Sequence, residues 1–187
     1  TLFGASSEAG TVRIITNKPN LGAFEAGVDA SISSTKSGDA SNSTEAYINI
    51  PFIEDKLAVR IAAYNDNQGG YIDNVPGTWT SEGKGFFDGF DKVDPATGTN
   101  YTETDNTKLV KEDFNEATYE GFRISSAHNI NDDWDMLITH MDQTIQADGV
   151  WDYDPAVGDL QVQRFSPDSL EDTFSQTSLT LEGRMGK

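Results

Sequence analysis

Wherever the chain is not rich in Gly, Asp and Pro it alternates apolar and polar residues with a period of two, and few folds accept that pattern. Strand side chains point alternately to opposite faces, so Phe24, Ala26, Val28, Ala30 and Ile32 fall on one side and Glu25, Gly27, Asp29, Ser31 and Ser33 on the other. The next run sets Ala46, Ile48, Ile50 and Phe52 against Glu45, Tyr47 and Asn49, with Pro51 near its end, where a missing ladder donor costs least. After Ile53-Glu54-Asp55-Lys56, a third run sets Leu57, Val59, Ile61 and Ala63 against Ala58, Arg60, Ala62 and Tyr64. Further on, Phe122 and Ile124 oppose Tyr119, Gly121, Arg123 and Ser125, and Leu179 and Leu181 oppose Ser178, Thr180, Glu182 and Arg184. Between these lies a strand from Trp134 to about Gln143 whose facing is open, because Met136 with Ile138 and Leu137 with Met141 both qualify. No helical period is evident. An all-β, antiparallel, up-and-down sheet of about six strands is expected.

The connectors alternate in length. They run from Thr35 to Ser43, then the short Ile53–Lys56, then Asn65 to Asn115, the short Asn129–Asp133, and finally Asp142 to Asp172. The long ones far exceed the usual four to six residues. Alternate connectors of an up-and-down sheet share an end, so one end is trimmed and the other carries the bulk, as in a transmembrane β-barrel of the outer-membrane type. Phe24, Phe52 and Trp134 fall at the short-turn end and Tyr71, Trp151 and Tyr153 near the long one, which fits two interfacial girdles. The alternative is a secreted, acidic β-sandwich for adhesion or glycan binding, its apolar faces packed on each other.

Charge narrows the partners. The 187 residues carry a formal net charge of -18, which argues against nucleic acid, because a polyanion needs clustered Lys and Arg. Ten acids and four lysines lie between Asn65 and Asn115, and eight acids and one arginine between Asp142 and Asp172, so the long connectors hold most of the charge. Cysteine is absent, which excludes disulfides and thiolate metal sites. No apolar run approaches the roughly 18 residues of a spanning helix.

Chemical motifs are sparse. Gly83, Gly85 and Gly89 lack the strand-then-helix frame of a phosphate loop. His128 and His140 lack further zinc ligands, no nucleophile, base and orienter can be assembled, and no enzyme is expected. Asp88, Asp91 and Asp94, or Asp148, Asp152, Asp154 and Asp159, supply carboxylates for a loop-bound Ca²⁺, but neither set matches an EF-hand, and a solvated acidic loop is the favoured reading over a dedicated metal site. Trp79, Phe90, Trp151 and Tyr153 are candidate loop contacts for a sugar or aromatic ligand, or simple loop packing.

The first residues do not read as a signal peptide. Small residues from Gly4 to Gly10 form a permissive turn, Thr11 to Thr16 a short strand, and Asn17-Lys18-Pro19-Asn20 a stop. The stretch Leu2 to Pro19, with its aromatic-Gly, small-residue turn and "GTVRIITNKP" close, resembles the end of the plug domain of TonB-dependent outer-membrane receptors. "NIPFIEDKLAVRIAAYNDNQGGYIDN", from Asn49 to Asn74, resembles early barrel strands of the same family. The resemblance implies a plug end over 1–20, with Gly4, Gly10, Arg13 and Pro19 as its structural motif, and over 21–187 the first part of a barrel of about twenty-two strands. It implies a Gram-negative outer membrane, lipid contact, energy from an inner-membrane TonB complex acting through a segment outside this chain, and a small-molecule substrate such as an iron chelate, vitamin or glycan. Arg60, Tyr64, Arg123 and Glu182 are then expected to face the lumen, where Arg13, Arg60, Arg123 and Glu182 pair across plug and wall.

Overall fold

The computed structural model describes residues 14–82, 92–93, 96 and 100–185. Six antiparallel strands form the main sheet: β1 (Glu25–Ser34), β2 (Ala40–Ile53), β3 (Leu57–Gln68), β8 (Ala117–Asn131), β9 (Trp134–Asp148) and β11 (Ser169–Gly183). Their order across the sheet is β1-β2-β3-β8-β9-β11, an up-and-down meander with every pair antiparallel. The sheet is open, with β1 and β11 as its edges among the described residues.

The strands run further than the alternation alone shows, so the connectors shrink to 35–39, 69–116 and 149–168. Both short turns obey local chemistry. Asp55 takes a left-handed backbone, which Asp tolerates better than most residues, while the Lys56 amide donates to the Ile53 carbonyl. At the other turn the Asp133 amide donates to the Asn131 carboxamide at 3.0 Å, an Asx turn. The Asn129 amide donates to the Lys56 carbonyl, tying the two turns together.

Register decides the faces. Ala26, Ile48, Ile61 and Ile124 lie in one lateral row, and Ile50, Val59, Ser126, Ile138 and Leu179 in another, so the expected apolar residues share one side. The open facing of β9 is resolved in favour of Met136 and Ile138, while Leu137 and Met141 point to the polar side.

The burial of the two faces is the reverse of a soluble sheet's. Val28 is 75% exposed and Leu179 60%, and Ile32, Phe122, Ile124 and Ile138 are also exposed. Along β1 this bare apolar band extends from Phe24 to Ile32, about 27 Å at the usual strand rise. The polar side instead holds buried Asn49, Ala58, Arg60 and Ser125. The residues 17–23 lie across it, with Pro19 buried and the Leu21 carbonyl accepting from the Asp55 amide.

The long connectors are structured, a departure from the simple loops expected of them. The first contains β4 (Asp73–Asn74), β5 (Thr78–Glu82), β6 (Lys92–Val93), β7 (Asn100–Asp105) and a 3-10 turn at Thr107–Leu109, and the last contains β10 (Gln161–Val162). β5, β7 and β6 form a small antiparallel sheet, and β10 pairs in parallel with β4, joining the two connectors. Ile72, Phe114 and Val162 close over this junction as a small apolar core, with Tyr71 and Val150 against it. The Asp39 amide donates to the Gly70 carbonyl at 2.9 Å, so the β1–β2 connector meets the same assembly.

Gly70 stands where a Cβ would overlap the Asp113 backbone carbonyl. Gly70→Ala is expected to loosen this junction by about 1–3 kcal/mol, the usual range for overpacking. Hydrogen exchange checks it: the amides of Asp73 and Phe114 lose protection while those of Ile61 and Ile124 keep theirs.

Candidate functional site

Asn49 organises the polar face. It is fully buried, and its carboxamide uses both halves at once. The Nδ2 donates to the carbonyls of Asn20 at 2.9 Å and Ala23 at 2.7 Å, and Oδ1 accepts from the Asn20 amide at 2.9 Å. Backbone that would otherwise lie unpaired on the sheet is thereby satisfied. The Asn20 side chain donates to Glu25 at 2.7 Å, and Glu25 in turn holds Arg60 at 3.1 Å.

Arg60 is 7% exposed. Its guanidinium lies 4.0 Å from the centre of the Tyr47 ring, a cation–π contact, while its Nε is buried with no partner. Tyr47 reclines over Gly27, its cross-strand neighbour, where a Cβ would come within 2.6 Å of the ring. Tyr64 reclines over its own partner Gly121 in the same way, at 3.1 Å. Glycine opposite an aromatic is a recurrent way to pin register and fill the gap.

These residues bound a cleft of about 420 Å³ on the polar face, with Asn17 at its margin and Asp29, Glu45, Tyr47, Arg60, Tyr64 and Arg123 lining it. Arg60, Tyr64 and Arg123, three of the four residues expected to face one lumen, therefore share a single cleft. Glu182 does not join them. It lines a second cavity of about 190 Å³ toward the short turns, with Lys18, Pro19 and Leu21.

The loop candidates do not converge. Trp79, Trp151 and Tyr153 are exposed, and no ring contact links them among the described residues. Phe90, the acidic trio Asp88, Asp91 and Asp94, and Gly4, Gly10 and Arg13 lie outside the described residues. Among the described residues no three His, Asp or Glu side chains gather in a metal-binding group.

Three buried asparagines in the connectors went unnoticed in the sequence. Asn74 donates to the Leu109 carbonyl at 2.7 Å and accepts from the Arg164 amide at 2.8 Å. Asn106 accepts from the Gly77 amide at 2.7 Å and donates to the Val75 carbonyl at 2.8 Å. Asn115 accepts from the Tyr71 and Ile72 amides at 2.7 and 2.8 Å. Their only sequence signal was Asn inside Gly- and Asp-rich stretches, which reads as turn chemistry.

Arg164 grips Asp168 with two bonds, at 2.6 and 2.8 Å, just before β11. The hydrogen bond from Arg164 holds the Asp168 carboxyl below its ordinary range, and the same bond raises Arg164. Comparison with protein-family models, with curated proteins and with solved structures returns no match.

Asn49→Leu keeps the branched outline of the side chain and removes all three bonds. It is expected to destabilise the 17–23 segment by about 2–4 kcal/mol, since backbone donors and acceptors are left buried and unpaired. Limited proteolysis then cleaves near Asn20 well before the sheet unfolds. The Asp168 carboxylate sets a second expectation. Because its folded-state pKa is depressed, the stabilisation is present above the ordinary carboxylate range and disappears as pH falls through the lowered value. The Gly149 amide, which donates to the Asp168 carbonyl, reports it: its protection factor holds at neutral pH and falls below about pH 4, and Asp168→Asn abolishes that dependence.

Proposed function

We propose that this chain forms part of the wall of an outer-membrane β-barrel of the TonB-dependent receptor kind, with the end of a plug segment lying against it, and serves energy-coupled uptake of a scarce small solute. The observation that carries this reading is the reversal of the two faces. An apolar band, continuous over β1, β2, β3 and β8 and interrupted on β9 by His140 and Asp142, is left bare on one side, while buried polar groups and the 17–23 segment occupy the other. Only a surrounding that is itself apolar makes such a sheet favourable, and hydrocarbon is that surrounding. The reversal also weighs against the β-sandwich, whose apolar faces would cover each other.

Three further features agree. The short turns lie at one end of the sheet and all long connectors at the other, as in barrels with tight periplasmic turns and large outer loops. The acids of 69–116 and 149–168 lie beyond the strand ends, away from hydrocarbon where each carboxylate would be costly, and Asp142, beside Phe122, stands toward the connector end of the band. The unpaired edges of β1 and β11 suit continuation of the sheet by further strands. In this reading Arg60, Tyr64 and Arg123 face the lumen, Trp79, Trp151 and Tyr153 sit near the outer mouth, and an inner-membrane TonB complex supplies the energy.

Environment-sensitive labels test the orientation. Single substitutions Val28→Cys, Ile61→Cys and Leu179→Cys, labelled with a polarity-reporting fluorophore in lipid vesicles, are expected to be blue-shifted and quenched by nitroxide-bearing acyl chains. The label at Ala62→Cys is not quenched. On whole cells, Asp154→Cys reacts with an impermeant maleimide and Asp55→Cys does not. A water-soluble monomer in which the Val28 label is shielded without lipid would return the β-sandwich as the correct reading.

A further inference from the structure

The polar-face cleft carries opposite charges in a fixed order. Arg60 and Arg123 stand on adjacent rungs of neighbouring strands, since Arg123 pairs with Ala62 and Arg60 with Ser125. One rung nearer the long connectors, Asp29, Glu45 and Tyr64 form a lateral row. Arg60 is more than nine-tenths buried and engaged by Glu25 and Tyr47, yet its Nε remains buried without an acceptor. Among the described residues Arg123, Asp29 and Glu45 have no ion-pair partner. Arg123 on one side of the cleft and Asp29 and Glu45 on the other are therefore charges of opposite sign left without a counter-ion from the described residues, which a ligand carrying both charges would supply.

We propose that this cleft binds a short zwitterionic peptide, its carboxylate on the Arg123 guanidinium beside Arg60 and its ammonium on Glu45 and Asp29. The fork of an arginine matches a carboxylate with two parallel bonds. A dianion of the phosphate or polycarboxylate kind is disfavoured, because the same cleft sets two carboxylates against its far side. Size agrees as well. Arg123 and Glu45 lie two strands and two residues apart, about 12 Å between Cα atoms at ordinary sheet spacing. An extended tripeptide spans about 10 Å. The cleft, at about 420 Å³, falls within the usual range of small-ligand sites. The assignment deepens the uptake reading by naming a substrate class, and it rests on that reading for the route the peptide takes.

Calorimetric titration of the full chain in detergent micelles with triglycine is the test. Saturable binding is expected. N-acetyltriglycine, without the ammonium, and triglycinamide, without the carboxylate, each bind at least about tenfold more weakly. Arg123→Gln lowers triglycine affinity at least about tenfold and Arg123→Lys restores part of it, whereas Lys108→Gln in the connectors changes nothing. Glu45→Gln, at an exposed position, weakens triglycine but leaves N-acetyltriglycine unchanged, and so keeps the proposal testable if Arg123→Gln does not fold. No saturable binding, or citrate binding more tightly than triglycine, would overturn it. Acyl-chain quenching of the Leu179→Cys label in lipid vesicles, a position outside the cleft, separates the two readings: triglycine binding without quenching sinks the membrane wall and leaves the cleft standing.

Discussion

A single register across six strands underlies everything else in this molecule. Its only shifts fall between Pro51 and Ile53 and between Asn129 and Asn131, both beside the short turns. Because side chains alternate with period two, a slip of one residue in any strand would exchange its apolar and polar sets. Tight turns at one end therefore matter for the whole sheet, since each fixes the phase of two strands where the backbone has least freedom. The outcome is a sheet with two chemically distinct sides, each requiring its own surroundings.

On the polar side and in the connectors, asparagine takes the role that aliphatic residues have in an ordinary core. Asn49, Asn74, Asn106 and Asn115 are buried, whereas among the described residues the buried apolar cluster of the connectors is Ile72, Phe114 and Val162. A carboxamide both donates and accepts without carrying charge, so it satisfies irregular backbone that neither ladder nor water reaches. That choice suits a chain whose many acids would repel one another if used for the same purpose. The two-bond ion pair of Arg164 with Asp168 fastens the segment that leads into β11.

The strands were legible because period two survives in the sequence without knowledge of partners. Leu57, Val59 and Ile61 against Ala58, Arg60 and Ala62 needs no tertiary information, and neither does the alternation of short and long connectors. The facing of β9 was not legible, because Met141 and Leu137 make an apolar set as good as Met136 and Ile138, and only pairing with β8 separates them. The junction of β4 with β10 was hidden for a different reason: it joins Asp73–Asn74 to Gln161–Val162 by two residues each, too short to leave a pattern. Within the candidate site, Arg60 and Arg123 stood out as charges on strands. The role of Asn49 did not, since a polar residue on a polar face looks the same whether it meets water or clamps a passing segment.

Two of the aromatic residues on the polar side recline over glycine instead of standing upright, Tyr47 on Gly27 and Tyr64 on Gly121, and Trp134 lies over Gly183 near the short turns. An upright tyrosine would jut a full side-chain length from the sheet, whereas a flat one adds little more than the thickness of its ring. The surface is thus lower in relief than its composition implies. In the barrel wall proposed above, low relief would mean a wider bore, gained without lengthening the circumference by a single residue.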